Sequence, residues 1–97
     1  MDMTGTDPDK LVRRIGRENF TRGAAADAEE ELLRLPPEVV APLVEAELGQ
    51  LDALIDRSRR GLAEWPDSEV AQEQFEGQIT VFETGRQLLA NLLLKLN

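Results

Sequence analysis

The chain has no cysteine, no histidine and no tyrosine, and only one tryptophan and three phenylalanines among its 97 residues. Without cysteine there are no disulfides and no thiolate metal sites. Without histidine the commonest metal ligand and the commonest general base are both missing. The shortage of aromatics leaves the core to Leu, Val, Ile and Ala, a composition suited to helices packed on helices. No apolar run approaches the roughly 18 residues of a membrane span. The opening MDMTGTDPDK is polar and acidic, without the apolar segment of a secretory signal, so the expected location is the cytoplasm. The glycines are scattered singly, which rules out a phosphate-cradling loop. No cofactor, metal or small-molecule substrate is expected, and the chain does not read as an enzyme.

Charge is plentiful. Nineteen acidic residues against eleven basic ones give a net charge of −8. Up to Gly23 the balance is mildly basic, with Lys10, Arg13, Arg14, Arg17 and Arg22 against Asp2, Asp7, Asp9 and Glu18. All of the net negative charge therefore lies beyond Gly23. Such a body repels nucleic acid. A helix-turn-helix reading of residues 8–35 fails on the same ground, because its second helix, AAADAEEELLRL, would turn acids toward phosphates. The run Glu29-Glu30-Glu31 is the densest acidic cluster, but successive helical positions splay apart and make a solvated face rather than a site.

Asp7-Pro8 has the form of an N-cap followed by proline at the first helical position. Leu11, Val12 and Ile15 then make a narrow apolar stripe. This helix is short, and residues 1–23 are expected to be a mobile, mildly basic arm. Residues 24–97 are expected to form the acidic helical domain, opening with a short helix over 24–35 that Pro36-Pro37 ends. From Pro42 the pattern strengthens: Val44, Leu48, Leu51, Ile55 and Leu62 recur at steps of three and four once Ser58 is included, and Trp65 continues the series. Arg57, Arg59 and Arg60 before Gly61 read as a helix end, giving a first long arm over about 42–61. Trp65-Pro66-Asp67-Ser68 has turn chemistry, with Asp67 or Ser68 as the next cap and Trp65 packed at the turn. The second arm runs over about 69–96. The fold class is all-α: a long antiparallel helical hairpin with two short N-terminal helices, its arms paired in coiled-coil fashion.

The second arm has two apolar stripes. Phe75, Ile79, Phe82, Leu89, Leu93 and Leu96 face the first arm, while Val70, Val81, Leu88 and Leu92 lie to one side. Together they span about 200°, well beyond the arc that one neighbour covers. Gly85 lies between the stripes and costs an interior helix about 0.5–1 kcal/mol, so a second helix is expected to come close there. Val81, Gly85, Leu88, Leu92 and Leu96 are accordingly the expected interface for a second copy or another protein. Glu47 and Arg86 each stand inside an apolar arc, and a turn near Pro66 places them opposite each other, predicting a partly buried ion pair that fixes the register.

LPPEVVAPLVEAEL and EQFEGQITVFETGRQLL, with Phe75, Gly77, Gln78, Ile79 and Phe82 as the matching pattern, resemble a group of short bacteriophage and prophage proteins. Those are helical hairpins of about this length encoded among head and packaging genes. The resemblance implies a non-enzymatic protein–protein interaction subunit, a small virion or packaging assembly component, homo-oligomeric or part of a larger assembly and incorporated into a virion. It identifies no catalytic residues, and the basic-then-acidic N-terminal third departs from the group. The alternative is an acidic inhibitor or adaptor that offers carboxylates to the basic groove of a nucleic-acid-binding protein.

Overall fold

The computed structural model describes residues 7–19 and 22–97. Among these the chain forms four helices and no strand: α1 (Pro8–Arg17), α2 (Arg22–Leu33), α3 (Pro37–Glu64) and α4 (Glu69–Leu96). α3 and α4 are the arms of an antiparallel hairpin, and the molecule is 49 Å long and little more than 20 Å across. Each arm has 28 residues, or about 42 Å at 1.5 Å per residue, so the hairpin accounts for most of that length.

The helix starts follow local chemistry. The Asp7 side chain accepts from the Asp9 N–H at 3.1 Å, and Pro8 takes the first helical position. Ser68 caps α4, its hydroxyl accepting from the Ala71 N–H at 3.2 Å. α2 stops at Leu33, and Leu35 closes a final turn onto the Leu32 carbonyl before Pro36 excludes further helix.

α3 is longer than the sequence pattern indicates at both ends. It begins at Pro37, not near Pro42. Pro42 lies inside the helix and forfeits the bond to the Glu38 carbonyl, a cost of about 3 kcal/mol, which the full burial of Val40 and Val44 on either side helps to offset. Gly61 is not a cap. α3 continues through it to Glu64, because the space left by the missing side chain holds the Phe75 ring of α4, about 2.5–2.8 Å from where a Cβ would stand.

α1 is also placed differently from expectation. Leu11, Val12 and Ile15 are buried to 2% exposure or less and join Ala28, Leu32, Val40, Val44, Leu51, Leu89 and Leu92 in one core. Residues 8–17 therefore belong to the folded body, and the expected separation of a mobile arm over 1–23 from a domain over 24–97 does not hold for them. Residues 1–6 and 20–21 of that expected arm lie outside the described residues. A narrow stripe of three apolar residues was enough because α3 and α4 together supply the groove that receives it.

Candidate interaction surface

From Val81 onward the second stripe of α4 is covered from within the chain, whereas Val70 at its start is not. α1 crosses α4 at Gly85, and a Cβ built there would overlap the Gly16 carbonyl. Asn19 fastens the crossing, its side-chain amide donating to the Ile15 carbonyl at 2.9 Å and the Val81 carbonyl at 3.0 Å. Leu92 is fully buried, Leu88, Leu96 and Val81 are half-buried, and Lys95 pairs with Glu29 of α2 at 2.7 Å. An opening of about 430 Å³ remains beside Leu88, lined also by Ile15, Ala25 and Ala26. The set Val81, Gly85, Leu88, Leu92 and Leu96 thus packs in and around the intramolecular core, as α1 and α2 fold back over the leucine-rich end. Only Leu94 of that end stands out, at 74% exposure.

Glu47 and Arg86 do not meet. Glu47 is 4% exposed and faces α1, where Arg17 grips it through Nε at 2.7 Å and Nη2 at 3.0 Å. Arg17 Nη2 also donates to Gln50 Oε1 at 2.6 Å. The hydrogen bond that Arg17 donates to Glu47, reinforced by the charges of Glu47 and Asp9, holds the Arg17 guanidinium above its ordinary pKa, against the opposing effect of burial. Arg86 lies on the outer flank of the hairpin and pairs with Asp52 at 2.6 Å, both half exposed. A seam-based register could not find this, since the partner of Glu47 comes from the helix that the sequence pattern set apart. On the helical wheel Arg17 falls opposite the stripe of Leu11, Val12 and Ile15, so periodicity carries no sign of this contact.

Beyond the end of α1, no described residue from outside the two arms packs across the hairpin. On this distal half only Ile55 and Ser58 of the seam are buried, and Ser58 Oγ lies 3.2 Å from Gln78 Oε1, to which it donates. Leu54, Phe75, Ile79 and Phe82 stay half-buried, because two helices cannot enclose them. The groove that holds α1 continues toward the turn as two hollows of about 250 and 380 Å³ that share Leu54 and Arg57. On α4 the residues Val70, Gln74, Gly77 and Val81, spaced four, three and four apart, form one strip without charge. Among the described residues nothing lies within 4 Å of a Cβ at Gly77, so no contact among them accounts for that glycine.

The adjoining flank of α4 is the opposite in character. Glu69, Glu73, Glu76 and Glu83 share it, and between Gly61 and Gly85 there are six acids (with Glu64 and Asp67) and no basic residue. Glu83 pairs with Arg59 at 2.8 Å. The turn itself is well held. Gln72 Nε2 donates to the carbonyls of Leu62 at 3.2 Å and Trp65 at 3.0 Å, and the Ser68 N–H reaches the Trp65 carbonyl at 3.3 Å. On this braced turn Trp65 is 59% exposed and Val70 is 75% exposed. The expected packing of Trp65 against the turn is thus only partial.

The Glu29-Glu30-Glu31 run disperses as helical geometry requires. Glu29 turns to Lys95, Glu30 pairs with Arg34 at 2.8 Å and Glu31 is exposed. Among the described residues no three His, Cys, Asp or Glu side chains are grouped to hold a metal ion, and no helix is long and apolar enough to cross a membrane. Comparison with known proteins finds no family model, no curated protein and no solved structure that matches the chain.

Proposed function

We propose that this protein is a non-enzymatic interaction subunit that works by presenting the distal half of its hairpin to other protein, as a small phage-type virion or packaging assembly component does. The observation that carries the reading is the uncovered distal groove, with half-buried Leu54, Phe75, Ile79 and Phe82 beside an uncharged strip of α4. In a chain that is 31% charged, three helical turns without a charge on one face suit contact with another helix better than contact with water. Gly77, open on all sides, lets a partner backbone come close there, as Gly85 does for α1.

Gln74→Glu combined with Gly77→Glu tests this without touching the core, since both positions are exposed. Wild type is expected to self-associate with rising concentration in sedimentation experiments, or to hold a stoichiometric partner through purification from its source. The double variant, with unchanged circular dichroism, is expected to lose that association. Association that survives the two added charges would overturn the assignment of this face.

A further inference from the structure

We infer that the hairpin turn is a docking tip for a cationic protein surface containing an apolar pocket, with Trp65 as the residue that enters the pocket. The inference rests on the reading of the chain as an interaction subunit but concerns a different surface from the distal groove. Trp65 is the only tryptophan in the chain and leaves most of its surface in water at 59% exposure, with Val70 close by in the chain at 75%. Tryptophan is the side chain most often found to dominate a protein interface, because it offers a large rigid area with little rotamer entropy to lose. Its backbone is already fixed here by Gln72, Ser68 and the α3 terminus, so docking need not order the turn.

The charge around it selects the partner. From Glu64 to Glu76 there are five acids (Glu64, Asp67, Glu69, Glu73 and Glu76) and no basic residue, while the nearest arginines on the α3 side, Arg60 and Arg59, are paired with Asp56 and Glu83. Those five acids account for more than half of the net charge of −8. Glu69 suits the first turn of α4, but Glu73 and Glu76 repeat its charge four and seven residues on, and like charges three and four residues apart oppose folding slightly, so these two do nothing for α4 itself. A neutral partner would have to desolvate the rim of carboxylates without return, and an acidic one would be repelled. A second copy docking tip to tip would bring the two acidic clusters together. A surface of lysine and arginine around an apolar pocket satisfies both features at once.

The probe is a fluorescently labelled amphipathic Lys/Leu helical peptide, followed by anisotropy, with the Glu/Leu peptide of the same pattern as control. Wild type is expected to bind the cationic peptide saturably, with a blue shift of Trp65 emission, and to ignore the acidic one. Trp65→Ala and Glu69→Lys/Glu73→Lys should each weaken binding by roughly tenfold or more. Glu38→Lys/Glu45→Lys makes the same change in net charge on exposed positions of α3 far from the turn, and should weaken it by less than threefold. Equal loss in both charge variants, or no loss with Trp65→Ala, would show attraction to net charge alone and overturn the inference. A blue shift that appears on concentrating the protein alone would assign the tip to a second copy instead, which also overturns it. Either result leaves the groove assignment standing, because Gln74 and Gly77 are unchanged in every variant.

Discussion

The same substitution at two glycines of α4 should have opposite signs. Gly77 is exposed and has open space around it, so Gly77→Ala gains helix propensity at no steric cost. The expected effect is stabilisation by about 0.5–1 kcal/mol. Gly85 is buried against the Gly16 carbonyl, and backbone cannot rotate aside as a side chain can. Gly85→Ala must lift α1 off α4, and overpacking of that kind costs about 1–3 kcal/mol before the propensity gain is subtracted. Urea titrations of the two variants check both signs. Arg17 is the other residue with a local lever. Arg17→Met leaves the buried Glu47 carboxylate without its partner, which costs about 3–5 kcal/mol in a fully buried pair. The Arg17 side chain is 33% exposed, so water reaches the site and about 2–3 kcal/mol is the expected loss. Because its partner raises the Arg17 pKa, the Arg17 share of this stability is complete below the usual guanidinium value and fades only above it. Across neutral pH the loss on Arg17→Met should therefore not change through Arg17 itself. Adding Glu47→Leu to Arg17→Met should recover most of the loss, and a cycle showing simple additivity would contradict the pairing.

At the scale of elements, α1 decides how the rest is read. It supplies three buried side chains, Leu11, Val12 and Ile15, each worth about 1.5–3 kcal/mol on burial. Against a total stability of about 5–15 kcal/mol, their loss takes most of what holds the fold. Deleting residues 1–19 is therefore expected to abolish a cooperative melt by circular dichroism, not to leave the hairpin intact. The sequence did reveal the all-α class, the Asp7 and Ser68 caps, the turn at Trp65–Ser68 and the need for a second neighbour at Gly85. Those features depend on residues close in sequence or on one helix's own periodicity. The identity of that neighbour, the partner of Glu47 and the passage of α3 through Gly61 depend on where separate helices cross, which no periodicity reports. A ten-residue helix with three apolar residues has weak local signals, and only the groove between α3 and α4 makes it stable.

The whole molecule has its core at one end and its exposed apolar surface at the other. Every residue of the main core cluster lies on α1, α2, or the stretches Val40–Leu51 and Leu89–Leu92 of the long arms. In the half nearer the turn only Ile55 and Ser58 are buried, and half-buried side chains, the Arg59–Glu83 pair and the hydrogen bonds of Gln72 hold the rest. Free energies of local opening follow buried contacts, so the two halves should not open together. Native-state hydrogen exchange is expected to show amides of residues 56–80 opening at a lower free energy than those of 40–51 and 86–92, with α1 grouped with the latter. The stable end would then act as an anchor, and the two arms between it and the braced turn would be the part that gains protection when the groove is filled. Under that arrangement a ligand of the distal groove should slow exchange across 56–80 and leave the anchor unchanged. Uniform protection along both arms in the free protein would mean that the two-helix half needs no partner to be stable, and the functional reading of its bare groove would lose its physical basis.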